Sequence, residues 1–124
     1  MAIAVLSSVF VVTPAAASTP CGNSPALPWT DGNYAYFSNT AYCPEWGPFA
    51  TMSEARLQEQ VLGIWYFRGN PKRKYHSGTT VLSSGTGSYY CNGHGTDNYR
   101  TRGGLRDTND ETKYTNGSSK SLTC

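Results

Sequence analysis

The sequence predicts an all-β fold, a small disulfide-stapled β-sandwich or partly closed barrel of about seven short strands. Three observations carry this. Aromatics make up 13% of the 124 residues, with nine Tyr and three Trp, and Gly is plentiful, a composition that favours strands and turns. Short β-prone segments recur at intervals of about 8 to 12 residues between Gly-, Asn- and Pro-rich punctuation. Four cysteines offer a small domain the crosslinks that its limited core calls for.

Residues 1–17 read as a secretory signal. The apolar run 2–12 is too short to span a bilayer as a helix, and Pro14 breaks it ahead of the small-residue pattern Ala15-Ala16-Ala17. Only the amino terminus supplies the usual positive charge, so the start of the reading frame is itself an open point. Export to an oxidising compartment makes the cysteines disulfide partners rather than thiolate ligands. Four cysteines allow three connectivities; Cys21 with Cys43 and Cys91 with Cys124 is preferred, because each pair closes a local loop. No second apolar run is long enough to span a membrane, so the mature chain is expected to be soluble and extracellular, with no membrane insertion after cleavage. A net charge of +2 is too small to indicate nucleic acid as a partner.

Residues 18–32, with Pro20, Pro25 and Pro28, read as an extended arm ahead of a single β-domain at 33–124. Asn33 to Ser38 has the aromatic content of a strand, and the prolines of 43–48 make a turn-rich connection. Residues 51–67 support two readings. Thr51-Met52-Ser53-Glu54 resembles a capping box, with Leu57, Val61 and Leu62 at helical spacing, which gives a single short helix at 51–62. Ala55, Leu57, Val61, Trp65 and Phe67 equally share one face of a strand, and the all-β surroundings favour that reading. After the turn signal Gly69-Asn70-Pro71 come short strands at 74–76, 79–83, 87–91, 99–102, 113–116 and 119–123. Asn116-Gly117 is the hairpin signal between the last two.

The densest charge feature is Arg68, Lys72, Arg73 and Lys74 with Tyr75 and His76, read as a basic aromatic loop. Its cations would steer encounter with an acidic protein or an anionic surface polymer, and Tyr75 would add contact area; the competing reading is a solvated hairpin loop that keeps strand edges soluble. Arg100 and Arg102 share one face of a strand and are read as pairing with the nearby Asp97, Asp107, Asp110 and Glu111. Cys91-Asn92-Gly93-His94 has metal-chelate spacing, but disulfide pairing of Cys91 is the stronger reading, and no metal or cofactor is implied.

Chain length, two disulfides and the Tyr-rich, Gly-rich composition resemble the small secreted microbial ribonucleases. That resemblance implies a general base, a general acid and a phosphate-binding cation, roles for which His76, His94, Glu45 and Arg100 are the available groups. Ser88-Tyr89-Tyr90-Cys91 resembles the end of an immunoglobulin F strand, but the tryptophans after Cys43 do not fall where that family places one. No Gly-x-Ser-x-Gly elbow is present. The sequence therefore favours a secreted, non-enzymatic binding protein, with a small secreted hydrolase as the alternative.

Overall fold

A computed structural model describes residues 19–124; the export signal read at 1–17 lies outside them. Eleven strands run in chain order as β1 Gly22–Pro25, β2 Trp29–Thr30, β3 Tyr34–Phe37, β4 Asn39–Tyr42, β5 Ala50–Val61, β6 Ile64–Thr79, β7 Val81–Ser83, β8 Gly87–Tyr90, β9 Thr96–Asp107, β10 Thr112–Asn116 and β11 Lys120–Thr123. The larger sheet has the order β10-β9-β5-β6, with β11 also on β9. The facing layer consists of β1-β4-β7 and β2-β3-β8, two antiparallel triplets with the same relative order that continue one another along the chain. Hydrogen bonds from Ala26 N to Ser38 O (3.0 Å) and from Ser84 N to Asn39 O (2.8 Å) carry the pairing across the breaks. The sheets do not close into a barrel, and the fold is that of a disulfide-stapled β-sandwich.

The strands are more numerous than the seven expected, and three of them, β5, β6 and β9, run to 12 residues or more. Residues 51–62 form no helix: β5 is the central strand of the larger sheet, and its two faces hide the periodicity in different ways. Ser53, Ala55, Leu57 and Glu59 point into the sandwich, while Glu54 and Gln58 point outward and are covered by side chains from β6 and β9. Burial on both faces lets Glu and Gln mimic a helical polar stripe. At Leu62 and Gly63, both with positive φ (53° and 80°), the chain reverses into β6.

Gly69-Asn70-Pro71 does not turn the chain. It is a bulge in β6, where Leu57 pairs with Arg68 and Ala55 with Lys72, leaving three residues opposite Arg56 alone. A second bulge, at 76–78, lies opposite Thr51. The basic segment 68–76 is therefore strand, not loop. Pro71, Lys72 and Lys74 lie on an exposed sheet edge, where proline and lysine block further pairing. Asn116-Gly117 likewise forms no hairpin, because β10 pairs with 102–106 and β11 with 96–99 of the same long strand β9. Gly117 N donates to Thr101 O (2.8 Å) within that connection. The described part of the proline-rich segment contributes β1 and β2 to the smaller layer instead of lying on the surface, and Cys21 within it is fully buried.

Two apolar clusters fill the sandwich. Ala35, Phe37, Ala55, Leu57, Tyr99 and Leu122 surround Cys91, and Ala41, Ala50, Leu82 and Leu105 surround Cys21. Each cluster is pinned by a disulfide, Cys91–Cys124 and Cys21–Cys43 respectively, in the connectivity preferred from sequence. Each crosslink contributes about 2 to 4 kcal/mol by restricting the unfolded chain. Between the clusters lies buried Asn39, whose Nδ2 donates to Asn23 Oδ1 (3.0 Å) and Ser53 Oγ (3.2 Å). Gly103 is required there, since a Cβ at that position would lie 2.2 Å from Asn39 Oδ1.

Candidate functional site: an arginine and aromatic sheet face

Register places Trp65, Phe67, Arg73 and Tyr75 of β6, Arg56 and Gln58 of β5, Arg100 and Arg102 of β9 and Tyr114 of β10 on the outward face of the larger sheet. Residues directly opposite one another in an antiparallel pair share a face, so a period-two alternation on four strands assembles this surface. Guanidiniums lie over the rings: Arg56 is 3.7 Å from the Phe67 centroid, Arg100 is 4.2 Å from Trp65 and Arg102 is 4.4 Å from Tyr114. Gln58 Oε1 accepts from Arg100 Nε at 2.7 Å. Tyr114 also packs on the bare backbone of Gly104, where a Cβ would lie 3.0 Å from its ring.

The electrostatics of this face are unbalanced. Among the described residues the ion pairs are Arg68 with Glu59, Arg73 with Glu54 and, when protonated, His94 with Glu59. Arg56, Arg100 and Arg102 have no carboxylate partner, contrary to the expected pairing of the β9 arginines with nearby acids. Partial burial, then the adjacent Arg102 charge, lowers the pKa of Arg100, the mark of a cation short of counter-charge.

The predicted basic cluster is divided by strand alternation. Arg73 lies outward and pairs with Glu54, while Tyr75 continues the outward face. Arg68 turns inward to Glu59 (2.9 Å), and Lys72 and Lys74, opposite the inward Ala55 and Ser53, project from the edge of the same inner side. His76 sits in the second bulge and, with Tyr75, Arg106, Asp107 and Asp110, lines a pocket of about 430 Å3 at the end of the outward face. Its Nδ1 accepts from Gly78 N (2.9 Å). Asp107 is 1% exposed and its Oδ1 accepts from the backbone of Asn109 and Glu111.

The four groups implied by the ribonuclease resemblance do not converge. His94 lies beside Glu59 (3.6 Å), whereas His76 is opposite Thr51, eight residues and about 26 Å away along β5. Glu45 belongs to the turn after Cys43, and Arg100 faces outward. His94 instead joins a cluster that the sequence did not reveal. Glu59, 2% exposed, accepts from Arg68 Nε and from Tyr99 OH (3.0 Å). Burial pushes the Glu59 carboxyl up, but hydrogen bonds with Asp97, Arg68 and Tyr99 outweigh it and hold its pKa below the ordinary value. The neighbouring Glu59 carboxylate, then burial, raises the pKa of Asp97 above its ordinary value. Occupied on every side, Glu59 joins β5, β6 and β9 as a buried polar tie.

A second aromatic surface lies on the smaller layer. Trp29 stacks on Tyr36 (5.7 Å between centroids), and Tyr34 meets Tyr90 edge to face (5.2 Å). Tyr36 OH donates to Asp31 Oδ2, and that bond, with the Tyr34 and Asn33 amides, lowers the Asp31 pKa to about 2.

Arg56, Gln58 and Tyr114 carry no local signal in the sequence, and Phe67, expected on one face with Trp65, Ala55 and Leu57, lies outward with Trp65 while Ala55 and Leu57 face the core, because the chain reverses at Leu62 and Gly63. Their shared signal is outward alternation on separate strands, visible only once the register is known.

No family model matches this sequence, and no curated protein matches it. Among solved structures, the chain is similar to a DUF4466 family protein from Parabacteroides merdae, with a TM-score of 0.53 and 8% sequence identity over 85% of this chain. The match spans 45% of that protein, less than half its length, and the likeness is one of fold.

Proposed function

We propose that this is an exported, non-enzymatic binding protein that engages an acidic surface polysaccharide across the outward face of its larger sheet. The observation that carries the reading is the set Arg56, Arg100 and Arg102, held over Phe67, Trp65 and Tyr114 with no carboxylate partner among the described residues. A planar guanidinium fixed on a ring keeps its N–H edge free for bidentate binding of a carboxylate, and pre-orientation reduces the entropy lost on binding. Neighbouring strands space such groups about 5 Å apart, and successive outward positions on one strand about 7 Å, so a linear polyanion meets several at once.

Two disulfides, and the lack of any helix long and apolar enough to cross a membrane among the described residues, are compatible with an extracellular protein. Residues 1–17 supply the export route in this reading.

The test is binding to polygalacturonate and to uncharged dextran over a salt series. Binding to the polyanion that weakens steeply with salt, and none to dextran, supports the reading. Equal affinity for both polymers, or capture only of a protein partner, would overturn it.

A further inference from the structure

We propose that the tip of the β5–β6 hairpin dips into an anionic lipid surface. A two-residue hairpin loop with both residues at positive φ ordinarily takes Asn, Asp or Gly, yet the first position here is Leu62 at φ 53°, with Gly63 after it at 80°. A leucine at this backbone conformation is disfavoured, and its side chain is 97% exposed, so no packing within the fold offsets the strain. Val61 and Ile64 on either side are exposed as well. Three aliphatic side chains thus project from the apex of the longest hairpin, where solubility and turn chemistry both call for polar residues.

What lies behind the apex identifies the partner as lipid. Trp65 and Tyr66 follow about 10 and 13 Å from Leu62 by strand rise, and the backbones of Arg100 and Arg68, about 13 and 20 Å back, send their guanidiniums over those rings. An aliphatic apex backed by a belt of amphipathic rings with guanidiniums stacked on them matches the acyl boundary and the headgroup region of a bilayer leaflet. Of the carboxylates at this level, Glu59 is buried and paired with Arg68, which leaves Asp97 as the acidic group nearest the apex. Gln60 and Asn98, the neighbouring pair, are neutral and bond to each other (3.3 Å). The expectation of no membrane insertion rests on spanning length, which a shallow apex does not need. The inference shares Arg100 and Trp65 with the polysaccharide face but is carried by the apex, so the compared variant changes only Leu62 and Ile64 and leaves the three arginines in place.

The experiment uses the full chain with Trp29→Phe and Trp46→Phe, so that Trp65 alone reports. Vesicles of equal parts phosphatidylcholine and phosphatidylglycerol should sediment the protein, shift Trp65 emission to the blue and, when brominated, quench it. Adding Leu62→Asn and Ile64→Thr should lower partitioning at least tenfold and abolish the blue shift, while leaving the melting temperature unchanged or higher, because Asn suits the positive φ. Both proteins carry the same residues 1–17, so the difference reports the hairpin alone. An unmoved Trp65 spectrum, or equal partitioning of the two proteins, would overturn the proposal.

Discussion

The two outer faces of the sandwich are both built from alternating aromatic positions, but they differ in what covers the rings. On the larger sheet Phe67, Trp65 and Tyr114 each carry a guanidinium, while on the smaller layer Trp29, Tyr34, Tyr36 and Tyr90 pack against one another with Asp31 as the neighbouring charge. Aromatic content alone does not distinguish them. The first face presents oriented cations without counter-charge, and the second a tyrosine and tryptophan surface beside a stabilised carboxylate. Charge placement by strand register, more than composition, decides which face can take a polyanion.

The three unpaired arginines carry the largest expected effect. Replacing Arg56, Arg100 and Arg102 together with Gln should weaken polygalacturonate binding roughly 100-fold, about 2.7 kcal/mol, and flatten its salt dependence. Trp29→Ser with Tyr34→Ser on the opposite face should leave that binding unchanged. Titration calorimetry on both variants separates the faces, and equal losses would dissolve the distinction.

The cation of Arg68 turns inward, so its loss acts on stability and not on the outer face. Arg68→Met should cost about 2 kcal/mol of stability in urea unfolding by leaving buried Glu59 without its main counter-charge, yet leave polymer affinity unaltered at constant ionic strength. A smaller and more local effect is expected at Asp31. Tyr36→Phe should raise the Asp31 carboxyl from about 2 towards its ordinary range, as read by carbon-detected NMR titration. Because the folded-state value is depressed, any stability this group contributes is present above the unfolded carboxylate range and is lost as pH falls towards 2. Smallest of all, Lys72→Ser with Lys74→Ser on the exposed edge should change stability by less than about 0.5 kcal/mol and barely alter binding.

Much of this architecture was legible from residues alone. Turn punctuation and aromatic content pointed to an all-β sandwich, local loop closure favoured the observed disulfide pairing, and Arg100 and Arg102 were correctly placed on one strand face. The illegible parts share a physical cause. Gly69-Asn70-Pro71 has turn chemistry but is held as a bulge because β5 continues past it as a partner. Asn116-Gly117 lacks its hairpin because β9 is long enough to pair with both flanking strands. Glu54, Gln58 and Glu59 look like solvent positions until their covering partners arrive from β6 and β9. In each case pairing between distant segments overrides a local signal, so a basic cluster contiguous in sequence is distributed over two faces and an edge.

The central claim, that the arginine-bearing face is the binding surface, is tested most directly by following the arginine Nε–H signals and backbone amides by NMR while an acidic oligosaccharide is titrated in. The account predicts salt-sensitive shifts centred on Arg56, Arg100 and Arg102 with Gln58, Phe67 and Tyr114, and silence at Trp29, Tyr34, Tyr36 and Tyr90. Shifts confined to the tryptophan and tyrosine face, or saturable binding that leaves the three arginines unmoved, would contradict it.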